Sequence, residues 1–295
     1  MIVHLLGNPT ADGGRAGATI DAVAARVRAH GHDLVRHDAP SVAAVTDAAA
    51  RAVRDQVDRL LLVGGDGLIH LAAQAAACSA TPIGIVPAGS GNDFAGALGL
   101  DRGTTADAVD RALAPAHPMD AIRVGDRWVV SVATLGFSAR VNQRANALRR
   151  PRGPARYTVA TLLELPRLAP VALTIELDGV RHDWEITLLA IANTAAFGGG
   201  MAICPNASPH DGQLEIAVIG PVGRATLLRI FPRVFKGTHV THPAVRMFSA
   251  RRVVVHSGAQ PVRGDGEPVG ATPITFEAVP GALMVAGIAP PGEAV

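Results

Sequence analysis

The chain has 295 residues, 48% of them hydrophobic and 18% charged, so it can bury a sizeable core as one large domain or two ordinary ones and is not a disordered chain. A net charge of only +2 gives no reason to expect a nucleic-acid partner. Basic charge comes from 26 arginines and a single lysine, Lys236, whose neighbours Phe235 and Gly237 do not form a Gly-Lys-Ser/Thr sequence; a Walker A loop and a protein-kinase β3 lysine are both excluded.

The opening MIVHLLGNPT lacks a basic n-region and a full apolar h-region, so it reads as a first strand and not as a signal peptide. Ile20, Val23, Ala24 and Val27 follow at helical spacing, then DLVRH as a weak strand, then Val42, Val45, Ala49 and Val53 as a second helical stripe. RLLLV is a buried strand ended by Gly64-Gly65, residues 68–78 an alanine-rich helix, PIGIVP a strand bracketed by prolines, and Ala106, Val109 and Leu113 one more helix. Repeated β-α units at this spacing predict a parallel sheet with helices on both faces. From about Asp120 the period falls to two: Val171, Leu173, Ile175 and Leu177 alternate with polar neighbours, as do Leu214, Ile216 and Val218, Val253 and Val255, and Ile274 and Phe276. That pattern predicts a mainly antiparallel β-sandwich, interrupted by helices near 138–149 and 223–231.

The expected organisation is an α/β domain with a parallel sheet over 1–119 and a β-rich domain over 120–281; whether 282–295 returns to the first domain stays open. The longest uncharged run, Ile186–Pro209, contains Asn193, Gly198–Gly200, Pro205 and Asn206 and is too polar to span a bilayer. Cys78 and Cys204 have no metal spacing and read as two reduced core thiols in a soluble, cytosolic chain.

In open α/β sheets, ligands sit beyond the carboxyl ends of the strands. Two glycine loops fall there: Gly64–Gly67, with Asp66 at its centre, and PAGSGNDFAGALG from Pro87, where Gly89 and Gly91 flank Ser90 and lead into Asn92-Asp93 as a candidate helix cap. Phe94 stands where a dinucleotide fingerprint needs glycine or alanine. One such loop could be an ordinary capped turn. Two on consecutive strands, each with an aspartate, suggest Mg-nucleotide chemistry, because a carboxylate beside a polyphosphate needs a divalent cation between them.

GGDG, PAGSGNDFA, FGGGMAICPNASPHDGQLEI and GDGE occur in that order, and from Gly7 to Val285 the chain resembles the diacylglycerol kinase catalytic-domain family, which includes soluble bacterial lipid kinases and the sphingosine and ceramide kinases. The resemblance implies an ATP- and Mg²⁺-dependent lipid kinase acting on the hydroxyl of diacylglycerol or a similar lipid. A sphingoid base or another lipid alcohol is an alternative acceptor. NAD kinase, with a similar first loop, is an alternative enzyme, and an inactive nucleotide-binding regulatory protein is an alternative of another class.

By the same resemblance, Gly64, Gly65, Asp66 and Gly67 line the ATP phosphates, with Asp66 near the catalytic Mg²⁺ and reaching it through water. Asn8, Ser90, Gly91, Asn92 and Asp93 belong to the nucleotide side. Asp120 stands close to the lipid hydroxyl, and Glu267 matches the proton acceptor. Asp211, with carbonyls of Ser208 and Gln213, would hold a second, structural Mg²⁺. The chain departs from the family pattern at Leu68, His70 and Leu71, where threonine, asparagine and glutamate are usual. His70, without a partner motif, reads as a helix-face histidine. Arg140, Arg144, Arg149, Arg150, Arg152 and Arg156 crowd a short stretch that is either a solvated basic face or a peripheral contact to anionic lipid at the inner membrane face.

Overall fold

The computed structural model describes residues 1–11, 15–148, 150–151, 155–256 and 258–290. The chain divides into two compact units, Met1–Ala121 with the segment returning at Pro280, and Ile122–Val279.

In the first unit β1 (Ile2–Gly7), β2 (Asp33–Asp38), β3 (Arg59–Gly64) and β4 (Ile83–Pro87) form a parallel sheet in the order β2-β1-β3-β4. Helices α1 (Arg15–Ala29), α2 (Val42–Arg54), α3 (Asp66–Ala76), α4 (Asp93–Ala97) and α5 (Thr105–Leu113) connect the strands. Helices on both faces are the reason Leu60, Leu61 and Leu62 are all fully buried and the strand reads as an unbroken apolar run. Ile20, Val23 and Val27 of α1 and Val109 of α5 share one core with Leu5, Leu61 and Val63. A side chain at Gly84 would run into the Ala112 carbonyl, so α5 lies directly on β4.

The buried stripe of α2 is Val45, Ala48, Ala49 and Ala52; of the expected Val42, Val45, Ala49 and Val53, Val45 and Ala49 are buried, Val53 is half-buried and Val42 is exposed. Alanines on that face let α2 lie close against α3, while Ser41 caps its start by accepting from Ala44 N–H. α5 opens with a capping box between Thr104 and Asp107.

β5 (Ala116–Val124) leads into the second unit: β6 (Arg127–Val129), β7 (Val132–Gly136), α6 (Phe137–Ala147), α7 (Ala155–Glu164), β8 (Val171–Leu177), β9 (Val180–Ile186), β10 (Leu188–Ala192), β11 (Leu214–Ile219), α8 (Arg224–Val234), β12 (Val245–Ala250), β13 (Arg252–Val255), β14 (Pro261–Gly264), β15 (Glu267–Ala271) and β16 (Ile274–Ala286). One sheet runs β12-β11-β10-β7-β14-β15; the other joins β9, β8, β13 and the first half of β16, and both are antiparallel. Leu173, Ile175, Val253, Val255 and Phe276 meet Leu189, Ile191, Leu214, Ile216 and Val218 between them, the sandwich that the period-two stretches predict. The opposite side of β10, Leu188, Ala190 and Ala192, is covered by Ile230 and Val234 of α8. Burial on both faces explains why this strand, LLAIA, does not alternate.

The second half of β16 belongs to the first unit, where Val285 pairs in parallel with Ile83 of β4 and Cys78 N–H donates to the Ala282 carbonyl at 2.7 Å. Cys204 is a core thiol whose pKa burial pushes up; Cys78, at φ 58° past the end of α3, is exposed and not in the core. No described helix is long and apolar enough to cross a membrane.

Candidate active site

Sheet register brings the first group of expected residues together. Gly7 is level with Val63, and Gly64 with Pro87, so Asn8 and both glycine loops leave the carboxyl edge of three adjacent strands. β1 and β3 are also where the strand order reverses direction, the position at which open α/β sheets bind ligands. Asn8 stabilises its own turn, its Oδ1 accepting from Thr10 N–H at 3.0 Å and from the Thr10 hydroxyl at 2.7 Å.

The two loops touch through glycine backbone: a Cβ on Gly89 would sit 2.5 Å from Gly65 Cα. Across that contact the Asp66 carboxylate accepts from Asp93 N–H at 3.2 Å and from Phe94 N–H at 3.0 Å, capping α4 from the neighbouring loop. The cap expected from Asn92-Asp93 is therefore supplied by Asp66. Asn92 is left-handed at φ 55° and its side chain turns back on Gly89, accepting from its N–H at 2.9 Å and donating to its carbonyl at 3.1 Å. Ser90, Gly91 and Gly67 face outward, and a Cβ on Gly91 would meet Asp66 Oδ2 at 3.2 Å and Asp93 Oδ2 at 3.6 Å. The result is a cradle of backbone and two carboxylates. Oxygen donors of this kind suit a hard divalent cation.

Leu68 folds over the loop that precedes it, its Cδ2 lying where a Cβ on Gly64 would come within 2.7 Å. His70 is buried on α3. Asp120 is buried in β5, its Oδ1 accepting from Gly281 N–H at 2.9 Å, so it fastens β5 to the returning segment.

In the second unit GDGE is a two-residue hairpin turn between β14 and β15, with Asp265 at φ 52° and Gly266 at φ 87°. Asp265, not singled out from the sequence, anchors the turn by accepting from Val130 N–H at 2.9 Å and Ser131 N–H at 2.8 Å. Asn146 of α6 donates to the Gly266 carbonyl at 3.0 Å. Glu267 stands next to this pinned turn, exposed and without a protein partner among the described residues.

An apolar cavity of about 60 Å³ lies between α6, α7, α8 and the outer face of the β10–β11 sheet, lined by side chains such as Tyr157, Phe197, Met201, Leu227 and Ile230. Ser138 and Asn142 of α6 are among its few polar lining residues, and a Cβ on Gly266 would be 3.5 Å from Asn142 Nδ2. The cavity thus has a polar end beside the Glu267 turn. Sequence periodicity could not reveal it, because its walls come from segments far apart in the chain.

Ser208, Asp211 and Gln213 line one polar cleft of about 270 Å³, joined by Asn206 and by Glu215, which the sequence reading did not include. Burial raises the Glu215 pKa and Asp211 adds to the rise, while Asn206 N–H, 3.0 Å from Glu215 Oε2, opposes it. Two carboxylates with serine and amide oxygens fit a hard cation, although no three His, Cys, Asp or Glu side chains cluster as metal ligands among the described residues. In the arginine-rich stretch, Arg144 pairs with the buried Glu164 at 2.7 Å and Arg140 donates to the Arg167 carbonyl at 3.2 Å; Arg150 is exposed, and Arg149 and Arg152 lie outside the described residues.

Comparison with known proteins accords with these features. The model for the diacylglycerol kinase catalytic domain matches residues 3–124, and that for the YegS C-terminal NAD kinase beta sandwich-like domain matches residues 131–287. A diacylglycerol kinase of Mycobacterium tuberculosis is 36% identical over 96% of this chain and 94% of its own length, and one of Bacillus subtilis is 27% identical over 83% of each. A solved structure from Bacillus anthracis str. Sterne matches 97% of this chain and 96% of its own with a TM-score of 0.79 at 20% identity, which establishes the shared fold. The chain belongs to the diacylglycerol kinase catalytic-domain family and is a lipid kinase of that family.

Proposed function

We propose that the chain is an ATP- and Mg²⁺-dependent kinase that phosphorylates the hydroxyl of diacylglycerol or a similar lipid alcohol, working as a peripheral enzyme at the cytoplasmic face of the membrane. The observation that carries the reading is the apolar cavity whose polar end adjoins the Glu267 turn. Such a cavity takes part of a hydrocarbon chain and leaves the alcohol at its polar rim.

In this reading Gly64–Gly67, Ser90–Asp93 and Asn8 bind the nucleotide phosphates through backbone and short polar side chains. Asp66 and Asp93 would hold Mg²⁺, which when bound neutralises charge on the phosphoryl oxygens. Asp66 also keeps the two loops in register through its bonds to Asp93 and Phe94. Glu267 accepts the proton of the acceptor hydroxyl as its oxygen bonds to the γ-phosphorus, a role typically worth about 10²–10⁴-fold in rate. Asp120 acts by positioning β5 against the returning segment. Ser208, Asp211 and Gln213 would hold a structural Mg²⁺, which offsets the repulsion between Asp211 and Glu215.

Incubation with γ-labelled ATP, Mg²⁺, NAD and a panel of lipid alcohols, followed by separate analysis of the organic and aqueous phases, tests the proposal. Label in phosphatidic acid is the expected result; label in NADP with none in any lipid would overturn it.

A further inference from the structure

We propose that α8 is a docking helix for an anionic phospholipid surface. The inference rests on the lipid-kinase reading only for the use such a surface would have; its geometry stands independently. Leu227, Ile230 and Val234 form the buried face of α8. Leu228 and Phe235 are 41% and 37% exposed, among the few large hydrophobic side chains that the second unit leaves outside. They are seven residues apart, two turns of helix, and so stand on one stripe about 100° around from the buried face. Half-buried Phe231 lies edge-on to Phe235, with ring centroids 5.6 Å apart, and continues the apolar ridge inward.

Arg229, Arg233 and Lys236 take up the rest of the exposed arc of the helix, about 90–150° around from that ridge, all exposed and none with an ion pair or side-chain hydrogen bond among the described residues. No aspartate or glutamate occurs between Glu215 and Asp265, so nothing on α8 or its connections in sequence offsets this charge. α7 also exposes leucines, Leu162 and Leu163, but it carries Glu164, already paired with Arg144. An apolar ridge beside a cationic arc of the same helix complements acyl chains beneath anionic headgroups. It lacks the mixed charge that would suit a protein surface.

The test is co-sedimentation of the full chain with vesicles of phosphatidylcholine alone or with one-third phosphatidylglycerol. The chain is expected to bind the anionic vesicles and leave the neutral ones. Arg229→Glu with Arg233→Glu should weaken that binding by more than about tenfold. Leu228→Gln with Phe235→Gln should weaken the part that survives high salt. Both double variants should melt like wild type and phosphorylate detergent-dispersed diacylglycerol at the wild-type rate. Unchanged vesicle binding by the charge-reversed variant, or equal binding of wild type to neutral vesicles, would overturn the docking proposal. Failure of wild type to phosphorylate the dispersed lipid would instead count against the kinase reading and leave the vesicle result standing.

Discussion

Leu68 stands where the family pattern has a hydroxyl, and its side chain closes over Gly64. The first glycine loop is thus covered by an apolar side chain where the family pattern places a polar one. Leu68→Thr is therefore expected to cost about 1 kcal/mol of stability and to change the KM for ATP. Unaltered thermal unfolding would show that the leucine is not needed as a cover. Glu267 is the opposite case, an exposed side chain on a rigid turn, where substitution leaves the fold alone. Glu267→Gln should lower kcat by at least about 10²-fold with unchanged melting; a loss under about tenfold in a steady-state assay would remove it as the proton acceptor.

At the scale of the element, Asp66 does something that neither glycine loop reveals separately. It begins α3 and caps α4, tying two helix starts through one carboxylate. Asp66→Asn would place an amide donor against one of the two N–H groups, with an expected loss of about 1–2 kcal/mol in urea unfolding besides a loss of turnover. Turnover lost with stability intact would leave only the metal role. The sequence made both loops legible because glycine runs after apolar strands have few other uses. It could not show the bond between them, because Asp66 and Phe94 are 28 positions apart and no periodicity links them. The strands of the sandwich were legible by alternation, whereas α7 follows a proline- and arginine-rich stretch that masks its start. On α2 the expected stripe was half right: Val45 and Ala49 face inward, but Ala48 and Ala52 complete that face in place of Val42 and Val53, since close helix approach favours small side chains over large ones.

At the scale of the whole molecule, three histidines set an acid limit. Burial is the largest cause lowering the pKa of His4, His37 and His239 from the ordinary 6.5; Arg51 adds to the lowering at His4 and His37, and Asp55 opposes it. His4 and His37 face each other at 3.2 Å. In the window from 6.5 downward to the lowered values the unfolded chain binds more protons, so stability rises with pH there and falls on acidification. The melting temperature should drop between pH 7 and pH 5, before ordinary carboxylates titrate; a flat profile by calorimetry would contradict this.

The strand β16 makes the two halves depend on each other in another way. A chain ended at Val279 would lack the strand that covers β4, and it is expected to aggregate through that exposed edge where the full chain stays dispersed in size-exclusion chromatography. The same geometry bears on synthesis. As the polypeptide leaves the ribosome, the segment that becomes the first unit emerges first, yet its last strand emerges only after the entire β-rich unit. The earlier unit therefore stays provisional through most of translation, and the later one is complete before it.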